Sequence, residues 1–143
     1  MTVLDAYAVL ALLKGEPAAP EVQRLLDSGT GALTALGVAE VVDHLVRLVG
    51  VSEEDAALDV AQLGLAGPDP IDGDLALQAG LLRARHYHRR NRAVSLADCV
   101  AAEAARSLGS PLATSDSHLL DVCRDEGIGV VPLPDSSGNT WSP

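Results

Sequence analysis

Phenylalanine is absent from these 143 residues, and the aromatic side chains reduce to one Trp and two Tyr. A core without large rings must be aliphatic, and Ala, Leu and Val dominate the composition. The same scarcity argues against a nucleic-acid binder that stacks bases on an aromatic platform. Lysine occurs once, at Lys14, and the net charge is −10, which argues against a general nucleic-acid coat protein. Cysteine occurs twice, at Cys99 and Cys123, each within an apolar helical pattern and without a Cys or His at ligand spacing. That excludes a disulfide framework or a zinc site and reads as two reduced core thiols. No apolar run reaches the length of a membrane span. The N-terminus carries no basic n-region and no small-residue cleavage site, so a cytoplasmic protein without a signal peptide is expected.

What is present is an alternation of short strands and helices. Thr2-Val3-Leu4-Asp5 reads as a buried strand ending on a carboxylate, followed by an apolar helix over Ala6 to Leu13. A second helix runs from Pro20 to Leu26, and Gly31 to Ala35 is a plausible second strand. The third helix covers Leu36 to Val49, with Val38, Val41, Val42, Leu45, Leu48 and Val49 as its core stripe and Gly50 as its stop. Ser52-Glu53-Glu54-Asp55 opens a fourth helix reaching about Leu65, and Gly67-Pro68-Asp69-Pro70 reads as a turn. A long fifth helix, about Asp74 to Arg90, ends in a basic run. Ser95 caps a sixth that stops at Gly109. Pro111 to Thr114 is a strand, Ser117 to Glu126 a seventh helix, and Gly129 to Leu133 an edge strand, because Pro132 cannot donate to a ladder. Asp135 to Pro143 is a polar tail, expected to be loose. The expectation is one α/β domain over residues 1–133, a parallel sheet with right-handed crossovers, and a tail over 134–143.

Two strand ends present acids, Asp5 and Asp116. A helix start presents Asp98, and a helix face presents Glu40. Three of them have a purely structural role open to them: Asp5 as a helix N-cap, Asp98 as half of a capping box, Glu40 as a solvated residue one turn before His44. Together, acids on the same side of a parallel sheet converge on one crevice, the usual ligand position of open α/β sheets. Crowded carboxylates raise one another's pKa, and a divalent cation removes that cost. Oxygen ligands without His or Cys suit Mg²⁺ or Mn²⁺, and such a site can orient water and stabilise a phosphoryl transition state. Other acid-based α/β enzymes fit less well. Tyr7 stands where a dehalogenase-type phosphatase needs a second Asp. Lys14 is misplaced for that family and for response-regulator receivers. Neither a P-loop nor a strand–GxGxxG–helix is present.

Four segments, in order, carry a resemblance: Val3 to Leu13 around Asp5, Val38-Ala39-Glu40-Val41, Ser95 to Ala104 around Asp98, and Leu112-Ala113-Thr114-Ser115-Asp116. They resemble the acidic motifs of PIN-domain proteins, and within these the VapC toxins of VapBC toxin–antitoxin pairs, over Thr2 to about Leu133. The resemblance implies a PIN-like three-layer α/β/α fold with a short central parallel sheet of four or five strands. It implies an Mg²⁺- or Mn²⁺-dependent endoribonuclease in which Asp5, Glu40, Asp98 and Asp116 hold the metal and act in catalysis. It also implies a VapB-type antitoxin and a homodimer. Thr114 and Ser115 are expected to support the acids by hydrogen bonds. Gly37 stands where the family often has Asn or Ser before the Glu, Tyr7 where it often has Ser or Asn after the first Asp, and Leu119 where an aromatic is common.

Five of the ten basic residues lie between Arg83 and Arg92. This run reads either as a solvated helix end or as an anion-binding patch. For an RNA substrate it is the only dense basic cluster, so Arg85, Arg89, Arg90 and Arg92 are the candidate phosphate contacts. Two other readings stay open: a PIN nuclease of RNA maturation without an antitoxin, and a non-catalytic PIN-like binding module.

Overall fold

Three-residue strands of small and branched apolar side chains set the centre of the molecule. The structure, a computed structural model, describes residues 1–66 and 70–143, so most of the turn expected at Gly67 to Pro70 lies outside the described residues. Strand β1 (Thr2–Leu4) is wholly buried and pairs in parallel with β2 (Gly31–Ala32) on one side and β3 (Leu112–Thr114) on the other. Strand β4 (Val130–Pro132) adds to the free side of β3, giving the all-parallel order β2-β1-β3-β4. Pro132 is therefore on an edge strand, as its missing donor requires.

Side chains alternate across this sheet, and each face has its own core. Leu4 and Ala113 point to one face, where they pack with Val9, Leu25 and Val41. That layer consists of α1 (Ala6–Leu13), α2 (Ala19–Asp27), α3 (Ala35–Asp43) and α4 (Glu53–Ala61). Val3 and Leu112 point to the other face, with Leu82, Val100 and Val122. That layer consists of α5 (Gly73–His86), α6 (Leu96–Leu108) and α7 (Ser117–Glu126). The result is the expected three-layer α/β/α fold with four strands. No helix among the described residues is long and apolar enough to cross a membrane.

Several boundaries differ from the sequence pattern. β2 is only two residues long, and Thr34, two residues beyond it, caps α3, its hydroxyl accepting from Gly37 N at 3.0 Å. The third helix is α-helical only to Asp43 and continues as a π-helical segment over His44–Val49. The wider turn carries Leu48 and Val49 out of the predicted stripe into solvent, while Leu45 stays buried. α4 stops at Ala61, ahead of the left-handed Gly64. Cys99 and Cys123 are free and buried, and burial pushes both thiols up to about 12.

The largest correction is at α5, which ends at His86 and not at Arg90. A continued helix would have stacked Arg89 and Arg90 one turn above Arg85 and His86, at a like-charge cost. Instead, Tyr87 turns extended and the chain folds back, with His88 and Arg92 exchanging backbone hydrogen bonds of 3.1 and 2.9 Å. At the far end, the Asp135 carboxylate accepts from Ser137 N and Asn139 N, both at 2.9 Å. The Trp141 indole donates to Asp121 at 2.9 Å.

Candidate active site

The sheet order makes β1 and β3 neighbours although the chain leaves β1 toward β2, so their carboxyl ends bound the crevice where open α/β sheets bind ligands. Asp5 follows β1 directly and is 5% exposed. Its Oδ1 caps α1 by accepting from Ala8 N at 2.7 Å, and its Oδ2 accepts from the Thr114 hydroxyl. Thr114, the last residue of β3, is fully buried, and its Oγ1 also accepts from Asp116 N at 3.0 Å. One hydroxyl thus ties Asp5 to the backbone that carries Asp116. Asp116 in turn caps α7, accepting from His118 N at 2.9 Å and Leu119 N at 3.3 Å.

Asp98 sits in the first turn of α6. Its Oδ2 accepts from Ser95 N at 2.9 Å while the Ser95 hydroxyl accepts from Asp98 N at 3.0 Å, a complete capping box. The capping roles expected of Asp5 and Asp98 are therefore real, and Asp116 has one as well. They do not exclude a second role, since a capped carboxylate is a rigid one. Glu40 is half-buried on α3 and lines a cleft with Tyr7, His44 and Arg47.

The electrostatics separate this set from ordinary caps. Burial is the main cause that pushes Asp5 up, to about 7, against the opposing hydrogen bonds from Thr114 and Ala8, and Asp98 and Asp116 push it further. Burial also raises Asp98, with Asp116 adding to it. Burial and the charge of Asp98 raise Glu40. Asp98 is thus the common neighbour, feeling or acting on each of the other three. Among the described residues, no cationic side chain pairs with any of the four. Whether a metal suits these residues follows from the donor set. All four donors are carboxylates, as a hard cation requires, but among the described residues no three of them converge as a closed ligand cage. The donor chemistry fits a hard divalent cation held by one or two carboxylates with water completing its shell.

The remaining expected residues divide. Thr114 bonds both Asp5 and Asp116. Ser115 lines a cleft with Asp116, Tyr7 and Lys14 but forms no side-chain hydrogen bond to the acids. Of the basic run, Arg85 pairs with Glu126 at 3.2 Å and Arg92 with Asp125 at 2.8 Å. Arg89 and Arg90 are exposed, with no ion pair among the described residues. Glu126 also meets His86 at 2.6 Å and Arg106 at 2.6 Å, and these hydrogen bonds hold its carboxyl down at about 2. Gly37 has a steric reason: a Cβ there would lie 2.6 Å from Cδ1 of buried Leu33. His118 is a residue that sequence reasoning missed. Its Nδ1 accepts from Ala93 N at 3.0 Å and so ties the basic hairpin to the helix that Asp116 caps. That hydrogen bond joins residues 25 positions apart, and no local pattern announces it.

The sequence matches the PIN domain family over residues 2–125. No curated protein matches it. Among solved structures, a toxin–antitoxin complex from Klebsiella pneumoniae contains a chain that superposes with a TM-score of 0.66 at 18% identity, covering 92% of this chain and 96% of that one. FitAcB from Neisseria gonorrhoeae superposes with a TM-score of 0.64 at 22% identity, covering 91% and 96%. At these identities the likeness is one of fold.

Proposed function

The chain belongs to the PIN domain family, and on that premise we propose that it is a divalent-metal-dependent endoribonuclease, the toxin of a VapBC-type toxin–antitoxin pair. The observation that carries this reading is the hydrogen-bonded Asp5–Thr114–Asp116 cluster at the ends of β1 and β3, with Asp98 near enough for its charge to raise both Asp5 and Glu40, the four being the acids of the family motifs. PIN domains are generally metal-dependent nucleases, and four carboxylates with no cationic partner among the described residues suit that chemistry. A bound Mg²⁺ or Mn²⁺ supplies charge for the phosphoryl oxygens and lowers the pKa of a bound water.

The chain's own residues do the rest. Capping and the Thr114 hydroxyl fix Asp5, Asp98 and Asp116 in single orientations, so the donors are organised before any ligand arrives. Glu40 has no hydrogen-bond partner among the described residues and is raised by burial and by Asp98, which suits it to accept a proton from an attacking water. The antitoxin and a second copy of the chain are the partners this reading expects. An antitoxin would quench the acids by placing an Arg or Lys among them. Expression in a bacterial host tests the reading. Wild type should arrest growth, Asp98→Asn should not, and the product of a small neighbouring reading frame should relieve the arrest. Growth unaffected by wild type at high expression would count against the toxin.

A further inference from the structure

Helix α5 buries one side and leaves an apolar side in solvent. Ala79 and Leu82 are buried in the core shared with α6, and Leu75 packs beside them. The outward side consists of Ala76, Leu77, Gly80, Leu81 and Ala84, all exposed. Leu77 is 58% and Leu81 45% open to solvent, one helical turn apart. At 3.6 residues per turn these five form one continuous apolar face with no charged side chain in it. Charge stands at its margins. Asp74 and Arg85 lie on the same flank, where they line a hollow with Leu75 and Gln78. Arg83 lies on the other flank and is held there, its Nε donating to Val94 O at 2.9 Å.

Gly80, at the centre of this face, is not required by the fold of the single chain. Its backbone is not left-handed, and a Cβ there would meet nothing within 4 Å. Glycine inside a helix is destabilising relative to alanine. What it offers at this position is close approach by a second helix.

The face is complementary to itself. Turned antiparallel about a two-fold axis at Gly80, it sets Ala76 opposite the partner's Ala84 and Leu77 opposite the partner's Leu81. The same operation brings Asp74 to the partner's Arg85, once on each side of the axis. Within one chain these two side chains stand about 16 Å apart along the helix and cannot pair. Asp74 has no ion pair among the described residues, and Arg85 keeps about half of its side chain exposed beside its 3.2 Å contact with Glu126. A parallel pairing would set acid against acid and arginine against arginine, so charge also selects the direction. With a net charge of −10 the chain repels its own copy, and self-association needs an apolar face that carries both signs at its margin.

We infer that α5 is a self-association surface, on which two copies of this chain pair through antiparallel α5 helices crossing at Gly80, with Asp74 of each facing Arg85 of the other. The inference gives a surface to the second copy expected above and needs no assumption about the chemistry at the acids. One helix pair is smaller than the about 800 Å² per partner of a standard interface, so a Kd of micromolar order is expected.

Sedimentation velocity over a concentration series tests this, on the Asp98→Asn chain so that toxicity does not limit expression. The parent should pass from monomer to dimer. Gly80→Arg should weaken association on the order of tenfold or more, with helix content retained by circular dichroism because arginine is the better helix former. Asp74→Arg should weaken it as well, and Asp74→Arg/Arg85→Asp should recover it, which no contact within one chain explains. Under mild oxidation Gly80→Cys should give a disulfide-linked dimer, whereas Leu58→Cys, exposed on α4, should not. Cys99 and Cys123 are buried and stay out of the reaction. A chain that is monomeric at about 100 μM overturns both this inference and the second copy of the proposed function. A dimer that ignores Gly80→Arg, a double reversal that recovers nothing, or equal cross-linking through Leu58→Cys overturns this surface alone. Absence of RNA cleavage by wild type would sink the nuclease reading and leave these outcomes unchanged.

Discussion

Asp5→Asn should stabilise the metal-free protein at neutral and alkaline pH. The wild-type carboxyl stands at about 7 in the folded protein against 3.8 as its ordinary value, chiefly because burial disfavours its charged form. The folded state therefore binds a proton more tightly than the unfolded chain. The stability this contributes is fully present below pH 3.8 and is lost as pH rises through about 7. At 1.36 kcal/mol for each tenfold ratio, ionising Asp5 in the fold costs about 4 kcal/mol. Asn removes that cost while its carbonyl keeps the bond from Ala8 N. Its amide must replace the bond that Thr114 donates, a rearrangement worth about 1 kcal/mol or more. The net expectation is a gain of roughly 1–3 kcal/mol at pH 8, shrinking to nothing or reversing near pH 4. Urea melts followed by circular dichroism in EDTA at several pH values measure it. Divalent cation should raise wild-type stability at pH 8 and act less on the variant. An Asn variant no more stable than wild type at pH 8 would refute the claim that Asp5 is held as a strained, ionisable ligand.

Three further outcomes follow from the same geometry. Thr114→Val keeps the shape of a fully buried side chain but strips a hydrogen bond from Asp5 and one from Asp116 N, so urea melts should show a loss of about 1–3 kcal/mol. Gly37→Ala should destabilise by about 1–3 kcal/mol through overpacking against Leu33, and Leu33→Ala in combination should recover part of the overpacking strain. Glu40→Gln should abolish RNA cleavage while the protein stays folded, with a thermal melt no lower than that of wild type. A fully active Gln variant would remove Glu40 from the site.

The sequence carried the layers of the fold because apolar runs, caps and glycine stops are local signals. Asp5, Ser95 with Asp98, and Gly109 each act within one turn of helix, and each does what its neighbours imply. The boundaries that differ are set by interactions that are not local. Arg92 finds Asp125, Arg83 finds Val94 O and His86 finds Glu126, and together they end α5 at His86, where helical periodicity runs on to Arg90. Arg85 and Arg92 are engaged in ion pairs with Glu126 and Asp125, while Arg89 and Arg90 have no ion pair among the described residues. The exposure of Leu48 and Val49 follows from a π-helical turn that no spacing rule foresees. Asp5 and Asp116 were legible as neighbours because strand ends are recognisable, whereas Asp98 and Glu40 lie on helices and joined them through the family resemblance. The link between Asp5 and Asp116 through the Thr114 hydroxyl was visible only as a candidate support. The scarcity of aromatics read correctly as an aliphatic core, but composition does not say that both tyrosines lie exposed, with Tyr7 in the clefts that hold Glu40 and Asp116.

A ribonuclease of this kind requires that the four acids drive metal-dependent RNA cleavage. The most direct measurement is cleavage of a labelled single-stranded RNA by purified wild type, Asp98→Asn and Glu40→Gln, with Mn²⁺ titrated from EDTA-stripped protein. Asp98 neighbours each of the other acids, so its replacement should reduce both cleavage and Mn²⁺ affinity, while wild-type activity should rise with Mn²⁺ and vanish in EDTA. Cleavage that persists in EDTA, or an Asp98→Asn protein as active as wild type, would contradict it.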